Sequence, residues 1–214
     1  TFSNQLAKNS ESMSFLEGLR VLELSECKLQ DAGLKALLAS GHLQRVHRLR
    51  LDYNSLKAKS VDALLGWDRV GELEWLDLSA NKLFAEQLAP LLGAKQLSAL
   101  RHLGVGGGVL AALDGVVLLA DSLALPKLES LDLSSNRLAG GGDLRPLIQC
   151  QQLASLRRLV LKDNEVGGFG GLCLRDGPWQ HLRELVISDN SATSALAELA
   201  KGAWPELSRL SYTP

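Results

Sequence analysis

The chain has 214 residues, 46% of them hydrophobic and 22% charged, with a formal net charge of -1. That balance suits a soluble protein and lacks the broad positive field of a nucleic-acid binder, and no apolar run approaches the roughly 20 residues of a membrane-spanning helix. Three cysteines without paired spacing give neither a disulfide framework nor a zinc motif and favour the cytoplasm.

Residues 1–18 lack the basic start and unbroken apolar stretch of a secretory signal. They are read as an N-terminal cap or the remnant of a preceding repeat. From about residue 19 the phrase L-x-x-L-x-L-x-x-N/C recurs seven times, beginning with Leu19, Leu22, Leu24 and Cys27 and continuing to Leu182, Leu185 and Asn190. An eighth copy starts at 207 and runs to 214. The second leucine of each phrase recurs at steps of 25 to 28 residues, through Leu22, Leu49, Leu76, Leu103, Leu131, Leu159, Leu185 and Leu210. A period of that length predicts a solenoid, and the absence of a composition break predicts one domain over 1–214.

Each phrase alternates, as in Leu76-Asp77-Leu78, which predicts a short strand with one buried face. Helical spacing follows in Leu34, Leu37 and Leu38, in Val61, Leu64 and Leu65, in Leu88, Leu91 and Leu92, and in Leu144, Leu147 and Ile148. Strand, helix and strand in one direction make a parallel sheet with right-handed crossovers. Because helices pack more widely than strands, the predicted fold is an α/β horseshoe with the sheet on its concave face and the helices on its convex face. Cys27, Asn54, Asn81, Asn136, Asn164 and Asn190 fall at equivalent corners, where a side-chain amide can serve buried turn backbone. Gly108 stands in the same place in repeat four and is expected to interrupt that ladder. Val166–Gly171, with four glycines where a helix should begin, predicts a loop or short 3₁₀ turn.

The unit resembles the leucine-rich repeat, and its long period with a second apolar pair resembles the ribonuclease-inhibitor-like class. That resemblance implies a non-enzymatic protein-interaction scaffold with no cofactor, binding another protein on the concave sheet. Other activities hosted by the class are regulation of a partner enzyme, such as GTPase activation or inhibition, and service as a bacterial effector or adaptor subunit. Direct ribonuclease inhibition fits poorly with a short, nearly neutral chain holding three cysteines. Self-association through the C-terminal sheet edge is a further reading.

In-register strands place equivalent outward residues side by side. One column reads Val21, Arg48, Trp75, His102, Ser130, Arg158, Glu184, Arg209; the next reads Glu23, Arg50, Asp77, Gly104, Asp132, Val160, Val186, Ser211. Trp75 departs from the polar residues expected on such a face. Two readings fit it: a partner-binding hot spot, or an internal stack with Arg48. The candidate partner-binding set is Arg48, Arg50, Tyr53, Trp75, Asp77 and His102, rimming a recess floored by Gly104, Gly106 and Gly107.

Chemistry is otherwise declined. Gly104-Val105-Gly106-Gly107-Gly108 lies in a strand rather than at a strand-to-helix turn, which a dinucleotide fingerprint needs. Ser79, Asp77 and His102 invite a hydrolase reading, but Asp-Leu-Ser recurs at Asp132–Ser134 without a histidine and is repeat consensus. No metal-ligand spacing is present.

Overall fold

The computed structural model describes residues 10–110, 114–138, 144–190 and 193–213. Part of the expected N-terminal cap, residues 1–9, lies outside them; from Ser10 to Leu16 the chain forms a 3₁₀ helix that buries Met13 and Leu16. Three-residue strands follow at β1 (Val21–Glu23), β2 (Arg48–Arg50), β3 (Trp75–Asp77), β4 (His102–Gly104), β5 (Ser130–Asp132), β6 (Arg158–Val160), β7 (Glu184–Val186) and β8 (Arg209–Ser211). They form one parallel 8-stranded sheet in sequence order.

The register is the one the leucines predict. Arg48 pairs with Val21 and Trp75, Trp75 with His102, and the column continues through Ser130, Arg158 and Glu184 to Arg209. The middle leucine of every strand from β1 to β7 is buried, whereas Leu210 of β8 is 45% exposed at the sheet edge. Burying such a side chain is worth about 1.5–3 kcal/mol, so the repeated leucines are the main stabilising term. They join one apolar cluster running from Met13 to Leu199.

Return helices occupy α1 (Gln30–Leu38), α2 (Ala58–Leu65), α3 (Ala85–Leu92), α4 (Gly115–Ser122), α5 (Arg145–Gln149), α6 (Gly168–Arg175) and α7 (Thr193–Leu199). Helix α6 overturns the loop expected at Val166–Gly171. Packing outweighs propensity there: a Cβ on Gly171 would lie 2.6 Å from the Ala195 carbonyl oxygen and 2.7 Å from its Cα. The missing side chain lets α6 and α7 meet backbone to backbone, a gain that offsets the roughly 1 kcal/mol helix penalty of each glycine. No helix among the described residues is long and apolar enough to cross a membrane.

Asparagines hold the corners. Asn54 Oδ1 accepts from Leu29 N, Asn81 Oδ1 accepts from Asn54 N and Leu56 N, and Asn190 Oδ1 accepts from Asn164 N and Val166 N. The amide nitrogens donate in turn to carbonyls of the same and the preceding repeat, as Asn136 Nδ2 does to Leu133 and Val105. Cys27 holds its corner with one weak bond from Sγ to the Ser25 carbonyl. Gly108 offers no side chain and also turns the backbone to φ +89°, so repeat four differs in main chain as well as in amide. Around the corners the chain twice enters the left-handed region: Glu26, Tyr53, Ala80, Ser135, Asp163 and Asp189 precede the ladder position with φ of 52–57°, and Lys28, Ser55, Arg137 and Glu165 follow it.

Three of the four tryptophans close the helix-to-strand turns. Trp67 and Trp179 are buried there, and the indole N–H groups of Trp179 and Trp204 donate to the carbonyls of Leu174 and Leu199. Trp75 stands apart, on the outer face of the sheet.

Candidate functional site

Trp75 is the middle layer of a three-deep stack across β2, β3 and β4. The Arg48 guanidinium carbon lies 4.3 Å from the centre of the Trp75 ring. On the other side the His102 imidazole lies 4.4 Å from the indole, with the two planes 4° apart. The short strands dictate this: parallel register sets equivalent side chains about 4.8 Å apart, close to the thickness of a stacked pair. The far end of the stack is pinned by a 2.8 Å hydrogen bond between His102 Nδ1 and Ser130 Oγ. The His102 pKa is lowered to about 4, chiefly by burial; Asp132 opposes this, and Arg158 and Arg48 add to it. At neutral pH His102 is therefore an uncharged ring, and Arg48 carries the cation.

Arg50 and Asp77 sit one pleat further along. Arg50 Nε donates to Asp52 Oδ1 at 2.8 Å and lies 4.0 Å from Asp77 Oδ2, while the Ser25 hydroxyl donates to Asp52 Oδ1 at 2.6 Å. Burial raises the Asp77 pKa, hydrogen bonds from Ser79 lower it, and the Asp52 and Asp132 carboxylates raise it again. Arg50 thus serves mainly to neutralise this acidic stretch.

Two parts of the predicted site come apart. Tyr53 lies three residues past the end of β2, in the left-handed corner turn where its N–H donates to the Ser79 carbonyl, rather than in the strand column of Arg48 and Trp75. The six candidates therefore do not form one cluster. The recess over Gly104 is filled as well: a Cβ there would lie 2.5 Å from Asp77 Oδ1, and the buried Gly106 lies against the Ser134 carbonyl. The glycines admit Asp77 and the neighbouring strand rather than opening a hollow. Nor are Ser79, Asp77 and His102 joined in a relay, since Ser79 N donates to Asp77 Oδ1, Gly106 N donates to Ser79 Oγ, and His102 pairs with Ser130. Among the described residues, no group of three His, Cys, Asp or Glu side chains could hold a metal ion.

An eight-stranded parallel sheet with a buried leucine in each repeat and an amide ladder at the corners defines a leucine-rich repeat solenoid. Two segments, residues 19–38 and 124–142, match the family model of the leucine-rich repeat. Those two segments carry the leucine-rich repeat, and the described residues share its solenoid architecture. The chain is similar in structure to an internalin (inlF) from Listeria monocytogenes, with 17% identity and a TM-score of 0.47 over 97% of this chain and 69% of that one. No curated protein matches it.

Proposed function

We propose that this chain is a non-enzymatic protein-interaction module that takes a segment of a partner protein against the Arg48–Trp75–His102 stack. The observation supporting this is the fourth tryptophan: the other three close turns, whereas Trp75 contributes its area to the outer face of the sheet in a fixed orientation. Aromatic and arginine side chains dominate binding hot spots, and a ring already held in place loses little freedom when a partner arrives. The dispersed hydrogen bonds of Ser79, Asp77 and His102 favour binding over catalysis.

The test compares partner capture and affinity for wild type, Trp75→Ala and Arg183→Ala, the last an exposed residue outside the stack. Trp75→Ala should weaken binding about tenfold or more, equivalent to at least about 1.4 kcal/mol, while Arg183→Ala leaves it unchanged. Equal affinity for Trp75→Ala and wild type would sink the reading. Hydrolysis of GTP by a captured GTPase, measured with and without the protein, separates plain binding from regulation of the partner.

A further inference from the structure

A different surface carries a feature that the concave stack does not use. At the loop edge of repeats one to four, two adjoining hollows of about 550 and 850 Å³ share Asp31, Lys57, Lys59 and Lys82 on their walls, and Lys35 lines the smaller one. All four lysines are exposed, and none of them is in an ion pair among the described residues, unlike Lys162 and Lys201. Among the described residues the one carboxylate on these walls is already engaged: Asp31 Oδ1 accepts from Lys57 N at 2.8 Å and from the Ser60 hydroxyl.

Folding does not account for this charge. Lys57 is the residue before helix α2 and Lys59 lies in its first turn, which holds no acidic residue. Cations at the N-terminal end of a helix oppose its dipole, so these lysines do not stabilise the helix. They sit instead on a groove whose wall also presents Phe84, 53% exposed. The open side is formed by Gly107 and Gly108, and a Cβ on Gly108 would meet no atom within 4 Å.

We propose that this groove is a second docking surface, taking an acidic peptide segment of another protein, with carboxylates between the lysines and an apolar side chain on Phe84. The lysines come from three successive repeats. Repeats lie about 5 Å apart at the strands and about 10 Å apart at the helices, so the lysines span roughly 10–20 Å, the reach of three to six extended residues. A single phosphate would call for convergent donors, commonly an arginine fork; here, among the described residues, no arginine lines either hollow and the charges are spread along an open groove.

The experiment is fluorescence anisotropy with a labelled peptide of alternating Asp and Glu around a central Leu, titrated with the protein at several salt concentrations. Lys57→Gln/Lys59→Gln/Lys82→Gln should weaken binding by about tenfold or more and flatten its salt dependence, and Phe84→Ala should weaken it by a few-fold at unchanged salt slope. A triple variant with the same loss of charge elsewhere, Lys95→Gln/Lys127→Gln/Lys201→Gln, and Trp75→Ala should both bind like wild type. Thermal melts of both triples report that the fold is intact. Equal losses in the two triples would overturn the proposal by showing diffuse attraction. So would tighter binding of inorganic phosphate, a single-stranded oligonucleotide or anionic vesicles than of the peptide. Sedimentation showing a dimer that the groove triple abolishes would assign the groove to a second copy of the chain and overturn it as well.

Discussion

The two halves of one column on the sheet face solve the same problem differently. In β2 to β4 the neighbours are Arg48, Trp75 and His102, stacked face to face. In β6 to β8 they are Arg158, Glu184 and Arg209, with Arg158 Nε 2.9 Å and Arg209 Nη1 3.5 Å from the Glu184 carboxylate. Backbone register is the same in both, so the contrast lies wholly in side chains. A scaffold held together by its inward leucines is indifferent to what it displays outward. Exposed ion pairs exchange readily with water and salt and contribute about 0–1 kcal/mol each, whereas the stack fixes a large apolar surface in one orientation.

Removing the shared foundation should affect both halves alike. Leu76→Ala under the stack and Leu185→Ala under the ion pairs each empty a buried site, and each should cost about 2–5 kcal/mol in denaturant unfolding. A difference well outside that range would show that the display does feed back on the core. Next in size is the response to acid. His102 has its pKa depressed from 6.5 to about 4 in the folded chain, so the unfolded chain takes up the proton first as pH falls. Stability is therefore whole above about pH 6.5 and declines toward pH 4, by at most about 1.4 kcal/mol per pH unit, less to the extent that water reaches the ring. His102→Gln should remove that slope, and an unchanged acid profile would refute the assignment.

In the ionic half, Glu184→Ala should cost no more than about 1 kcal/mol, with the cost shrinking as salt is added. A salt-independent loss would mean that these partly exposed pairs staple this half more firmly than surface ion pairs do. The smallest effect is expected at the turns. Ala80→Gly relieves a left-handed alanine and should be neutral or stabilising by up to about 1 kcal/mol in a thermal melt, whereas Gly107→Ala drives a Cβ to 2.6 Å from Ala80 and should destabilise.

Much of this was legible in the sequence because it is written once per repeat. Leu22 to Leu210 specify the register, and Asn54 to Asn190 specify the corner amides, by identity at a fixed period. What was not legible depends on distance in three dimensions. Glycine propensity argues against a helix at Gly168–Arg175, and only the approach of Ala195 reverses that argument. Tyr53 falls near the candidate rim by spacing, yet β2 ends at Arg50 and Tyr53 belongs to the left-handed corner turn beyond it. Glycines through repeat four suggested a recess, yet the Asp77 carboxylate of the preceding repeat occupies it. The lysine groove has no signature in the repeated phrase, because Lys57 and Lys82 stand in positions outside it, although Lys57 and Phe84 occupy equivalent places in consecutive repeats.

The division of the tryptophans also makes the molecule optically self-reporting. Trp67, Trp179 and Trp204 sit beside helix ends in different repeats, so their emission should follow the loosening of separate stretches of the solenoid. Trp75, lying against a neutral imidazole and a guanidinium, should respond instead to whatever covers the sheet. One chain thus carries distinct intrinsic fluorophores for its integrity and for its occupancy.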